Sequence, residues 1–123
     1  MLDEILQSEE ALNEAGFSIS KCRGWMCQNA VEFEKYSSYG RDFTFTIEGD
    51  SYDEFIENMR EYYDNFDISY ETYLYLDDEG HGANGAPYDM LDVYRDTEEC
   101  AGFIEEALRI IEEHHQEEQN AQM

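Results

Sequence analysis

Between Tyr52 and Phe66 apolar residues recur three and four positions apart: Tyr52, Phe55, Ile56, Met59, Tyr63 and Phe66 share one helical face. Asp53, Glu54, Glu57, Glu61 and Asp64 fall mainly on the opposite side, around the single cation Arg60. Ser51 and Glu54 form an S-x-x-E capping box, so this helix is predicted from Ser51 to about Phe66. Upstream the period changes to two. Val31, Phe33 and Lys35 alternate with Glu32, Glu34 and Tyr36, and Phe43, Phe45 and Ile47 alternate with Thr44, Thr46 and Glu48. With SSYGR between them as a glycine-bearing loop, Ala30 to Tyr36 and Asp42 to Glu48 read as an antiparallel hairpin.

The flanking segments are less regular. Leu2, Ile5, Leu6 and Leu12 predict a short amphipathic helix ending at Gly16, and Phe17 to Ser20 alternates like a strand. Residues 17 to 29, with Gly24, Trp25 and two cysteines, fit several conformations. Ile68 to Leu76 carries the aromatics of a strand, but Asp67 ahead of Ser-Tyr-Glu resembles a helix N-cap, and a helix is the preferred reading. DEGHGANGAP is a loop. A last helix begins near Met90 or Asp96 and runs to about His115 on a stripe of Cys100, Phe103, Ile104, Ala107, Leu108 and Ile111. The expected architecture is α+β: one acidic domain over residues 1 to 116, a small antiparallel sheet packed against three or four helices, with a frayed polar tail over 117 to 123.

Charge changes this picture from an ordinary small domain to an unusual one. The 31 acids and 7 bases among 123 residues give a formal net of −24. Residues 42 to 123 hold all but seven of the acids and only three of the bases. Such acidity suits disorder only where aromatics are scarce, and ten Tyr with seven Phe supply a core. A fold that keeps this many like charges accepts self-repulsion, and presents a surface suited to a basic partner. Cys22, Cys27 and Cys100 lack zinc-type spacing and are expected as reduced thiols. There is no secretory-type N-terminal stretch and no apolar run of membrane length, so a soluble cytoplasmic protein is expected, without membrane contact.

The candidate chemistry is therefore mostly carboxylate. Glu98, Glu105 and Glu112 recur every seven residues, as do Glu99, Glu106 and Glu113, which predicts two adjacent ridges on the last helix. At about 1.5 Å rise per residue, acids seven apart lie roughly 10 Å apart along the axis. Duplex DNA carries one charge per about 1.7 Å, and ridges of this density on several helices form a plausible stand-in for phosphates. The predicted partner-binding set is Asp53, Glu54, Glu57, Glu61, Asp64, Asp77, Asp78, Glu79, Glu98, Glu105, Glu112, Tyr73 and Tyr75. The tyrosines enter because aromatics beside charge supply contact area at interfaces, Tyr62 and Tyr70 being further candidates. The bland alternatives are a solvated helix face for the acids and core packing for the tyrosines.

Metal and catalysis are weaker readings. Aligning Asp77 with the first position of a calcium loop puts Gly82 at the sixth, but Tyr88 at the twelfth, where a bidentate Glu belongs. No cofactor or metal is assigned. His114 and His115 near the end of the last helix suit a surface role complementing the helix dipole. No nucleophile, base and orienting acid can be matched, and no enzymatic activity is expected.

From Ala30 onward, the VEFEKYSSYGRDFTFTIEG hairpin, the SYDEFIENMREYYDNFD helix, a glycine-rich turn with GAPYDM and a final acidic helix resemble a group of small acidic proteins carried by phages and conjugative elements of Gram-positive bacteria. The resemblance covers about three quarters of the chain. It implies a setting in which inhibitors of host defence are common, including anti-CRISPR and antirestriction proteins that mimic DNA. The implied partner is a guided nuclease or restriction enzyme with a basic groove, engaged by a monomer or homodimer that does not itself bind nucleic acid. A mobile-element adaptor binding another protein through its tyrosines is the competing expectation.

Overall fold

The computed structural model describes residues 3–22, 29–77 and 90–121, with side chains over residues 3–22, 29–74 and 91–117. In chain order these form α1 (Asp3–Leu6), α2 (Glu9–Glu14), β1 (Ser18–Cys22), β2 (Ala30–Tyr36), β3 (Asp42–Glu48), α3 (Tyr52–Asp64), α4 (Ile68–Asp77) and α5 (Met90–Ala121). The class is α+β, with a three-stranded antiparallel sheet in the order β1-β2-β3.

The hairpin keeps the boundaries its alternation predicts. Ser37 N–H donates to the Arg41 carbonyl and Gly40 N–H to the Ser37 carbonyl, both at 2.9 Å, with Gly40 at φ +92°. That is a tight turn closed by a glycine bulge, a conformation a side chain would strain. Val31, Phe33, Phe43, Phe45 and Ile47 point into the core, where Phe33 and Phe45 stack with centroids 4.8 Å apart. Glu32, Asp42, Thr44 and Thr46 face solvent on the other side. β1 turns the hairpin into a sheet by pairing with β2, Ile19 opposite Phe33, and contributes only half-buried side chains to the core.

The expected N-terminal helix is two short ones, broken at Gln7 and a buried Ser8. Its predicted stop is real. Gly16 at φ +98° lets its own N–H reach the Asn13 carbonyl and the Phe17 N–H reach the Leu12 carbonyl, a Schellman closure that delivers Phe17 into the core.

α3 starts at the predicted cap. Ser51 accepts from Glu54 N–H at 3.2 Å, and the Glu54 carboxylate reaches back to the Asp50 N–H at 2.7 Å, one residue before the position an ideal capping box would serve. Phe55, Ile56 and Met59 are buried, while Tyr52, Tyr63 and Phe66 pack on the rim of the core. A Cβ on Gly49 would sit 2.7 Å from the Phe55 backbone, so glycine is what allows β3 to turn directly into α3.

Asp67 caps α4, its side chain accepting from the Tyr70 N–H at 3.1 Å, and Ile68 to Leu76 is helix. α5 buries the whole predicted stripe, Cys100 through Ile111. It also runs past the expected helix end near His115, to Ala121, because Gln and Glu sustain a helix even without an apolar face to dock. The HGANGAP loop, Cys27, Asp78 and Glu79 lie outside the described residues.

Candidate partner-binding surface

α3 and α5 run antiparallel, and three contacts fix the seam between them. The Tyr52 ring stacks on His115 with centroids 3.8 Å apart, Arg60 pairs with Glu112, and Tyr63 hydrogen-bonds Glu105. The last contact, followed by the Glu105 charge, holds the Tyr63 hydroxyl above the usual phenol range. Tyr52 is pushed up to about 12, first by burial and then by Glu112 and Glu4. His115 also lies 2.8 Å from Glu4, so it ties the N-terminal segment to the seam rather than standing as a free surface cation.

The seam gathers much of the predicted set. Asp53, Glu57 and Asp64, spaced four and seven apart, follow one exposed ridge of α3. Glu105 and Glu112 face them from α5, and a groove of about 400 Å³ lined by Tyr52, Asp53, Ile56, Glu57, Arg60 and Glu112 runs between. Glu98 is exposed on the same line of α5, nearer its start. The surface is not uniformly negative, since Arg60 sits in its middle and Arg109 beside Glu105 and Glu113.

Other predicted residues go elsewhere. Glu54 is engaged in the cap, and Glu61 lies around the helix from the seam, in a second groove beside β3. Tyr73 is 64% exposed on α4, whereas the side chains of Tyr75 and Asp77 lie outside the described residues.

The second ridge of α5 is the main departure from expectation. Glu99 accepts from the Ser38 N–H at 2.8 Å and the Ser38 hydroxyl at 2.6 Å, and so holds the hairpin turn. Glu106 pairs with Lys35 at 2.8 Å, and the Lys35 ammonium lies 4.8 and 4.6 Å from the Phe17 and Phe103 ring centroids. Lys35 is the inward charge of an otherwise apolar strand face, satisfied by one carboxylate and two ring faces. Asp96, fully buried, takes Arg41 at 3.4 Å. These acids fasten α5 to the sheet. Only Glu113 of that row is exposed.

One acidic surface was missed. Glu32, Glu34 and Asp42 share the open face of the sheet, where a hydrogen bond shared with Asp42, and then the Asp42 charge, raises Glu34 above the usual carboxylate range. The signal was present in the alternation, which sends these residues outward as surely as it sends Val31 and Phe33 inward.

Cys22 and Cys100 are free thiols, and burial pushes Cys100 up to about 12, which leaves it inert. Among the described residues no group of three or more His, Cys, Asp or Glu is placed to hold a metal ion, and no helix is long and apolar enough to cross a membrane. Comparison with protein-family models, curated proteins and solved structures found no match.

Proposed function

We propose that this protein is a non-enzymatic inhibitor of a bacterial defence nuclease, of the anti-CRISPR or antirestriction type, acting as a DNA mimic in a basic nucleic-acid groove. The observation that carries the reading is the α3–α5 seam, where Asp53, Glu57 and Asp64 face Glu105 and Glu112 across one surface fixed by Tyr63 and Arg60. Two facing rows of carboxylates on packed helices are preorganised, so little side-chain and backbone order has to be gained on binding. A cationic groove meeting them would release its counterions much as it does on meeting phosphate, and the interaction would weaken steeply with salt.

The test is capture of targets from bacterial lysate at low and high salt, with duplex DNA as competitor. A nuclease recovered at low salt and displaced by DNA is the expected result. Reversing Asp53, Glu57 and Asp64 together to lysine should abolish capture while leaving the fold intact, because all three are exposed and none of them fixes the seam. Capture that is indifferent to salt and to those reversals would overturn the reading.

One observation favours an adaptor instead. α4 and the start of α5 leave Tyr70, Tyr73, Leu74, Leu91 and Tyr94 exposed, between 36% and 64%. If exchanging Tyr70 and Tyr73 for serine removes a salt-resistant partner, the apolar patch is the working surface and the charge is its background.

A further inference from the structure

Among the described residues no further strand pairs with the outer edge of β3, and a groove lies beneath it. Pairing with β2 is bracketed by the Ser37–Arg41 and Asn29–Gly49 hydrogen bonds. Between them the antiparallel register alternates, so Phe43, Phe45 and Ile47 bond inward to β2, while Thr44, Thr46 and Glu48 aim their N–H and C=O groups outward. The Glu48 carbonyl confirms this direction by accepting from the Asn58 amide at 2.8 Å. Among the described residues Thr44 and Thr46 have no backbone partner on that side, and both are exposed.

Below the edge lies a groove of about 540 Å³ between β3, α3 and α4. Its floor is Ile47, Tyr62 and Phe66, and its rim carries Glu48, Glu61 and Glu71. The Tyr62 ring stacks on Phe45 at 5.8 Å, which holds the floor in place. A strand added beside β3 would drop alternate side chains into this groove.

We propose that the β3 edge and this groove bind an extended polypeptide segment bearing lysine or arginine at alternating positions, by strand addition. The molecule already contains the matching arrangement. On β2, Lys35 lays its stem across Phe17 and Phe103 and delivers its ammonium to Glu106. A lysine entering beside β3 would cross Tyr62 and Phe66 and meet Glu61 or Glu71. Side chains on the other face of the added strand would meet the open face carrying Glu32, Glu34 and Asp42. A second copy of this chain is the wrong occupant, because pairing two edges would bring one net charge of −24 against another. The site lies around α3 from the seam, and so stands or falls independently of the duplex-mimic reading.

The experiment uses the full chain and a capped peptide of about ten residues alternating lysine and valine, a typical strand length being somewhat shorter. The control is the same peptide N-methylated at every residue, which keeps its charge and loses its donors. The unmodified peptide should bind and slow amide exchange at Thr44 and Thr46. The methylated peptide should bind about tenfold more weakly, as expected from losing two backbone hydrogen bonds. Thr46→Pro should weaken the unmodified peptide similarly, since it deletes an N–H that faces away from β2. Glu61→Gln with Glu71→Gln should weaken binding and flatten its salt dependence. Equal affinity for the two peptides, no binding, unchanged exchange at Thr44 and Thr46, or an edge already protected in a homodimer would each overturn the proposal. The peptide comparison decides the matter even if Thr46→Pro does not fold.

Discussion

Glu98, Glu105 and Glu112 differ from Glu99, Glu106 and Glu113 by one residue of sequence, yet the two rows have opposite fates. One residue is about 100° of helix, enough to turn the second row toward the hairpin and leave the first along the α3 seam. There the hairpin supplies Ser38 and Lys35, and Arg41 meets Asp96 a turn earlier. The inner acids each take a donor from the hairpin at the sheet margin. The outer acids meet two donors on α3, Tyr63 and Arg60, and line the open seam. The inner row does not persist, because a seven-residue repeat drifts by about 20° per heptad on a straight helix, and Glu113 ends up exposed. Thus a high acidic count does not by itself describe a surface: part of the charge is internal fastening.

The strongest way to break this distinction is at Asp96. Its side chain is fully buried and Arg41 is its cation, so Arg41→Met leaves an uncompensated buried carboxylate. The expected loss in chemical denaturation is about 3–5 kcal/mol, with a substantial part recovered when Asp96→Asn is added. A loss below about 1 kcal/mol would put Asp96 in the same class as a surface acid.

A finer comparison sets the rows side by side. Glu106→Gln weakens a charge-assisted contact to Lys35 in a half-buried setting, and should cost about 1–2 kcal/mol. Glu98→Gln removes one exposed charge from a crowded acidic surface, and should change stability by less than about 0.5 kcal/mol, with relief of repulsion favouring a gain. Parallel urea titrations check both. Equal effects would mean the one-residue offset has no energetic meaning.

That offset marks the limit of what the sequence could reveal. The β2–β3 hairpin, the Ser51 cap and the buried stripe of α5 were legible because each depends on a local period or a local hydrogen bond. β1 was only half legible, because an edge strand with no fully buried side chain in its span leaves little alternation to detect. Which glutamate row stays free depends on where Lys35 and Ser38 arrive in three dimensions, and no spacing within α5 encodes that. The same holds for Glu61, which shares a helix with Asp53 and Glu57 but lines a different groove. Outward acids on the sheet were encoded, but helical spacing drew attention away from them.

Those sheet acids give the smallest effect and the most direct look at repulsion among outward carboxylates. In the fold Glu34 keeps its proton to higher pH than the ordinary 4.5, because it shares a hydrogen bond with Asp42 and feels that charge. A folded value raised above the unfolded one stabilises the protein fully below the unfolded value, and the contribution is lost as pH rises through the folded value. Above that point both carboxylates are charged and oppose each other across the strands. Glu34→Gln removes the opposition but keeps a donor for Asp42. The variant should therefore melt about 1–2 °C above the parent at neutral pH, and the two curves should converge as pH falls toward 4.5. A constant offset across that window would show that the substitution acts through something other than the shared proton. Convergence would show that outward acids on this fold repel measurably at a single pair, whereas the inner acids, each facing a donor, do not.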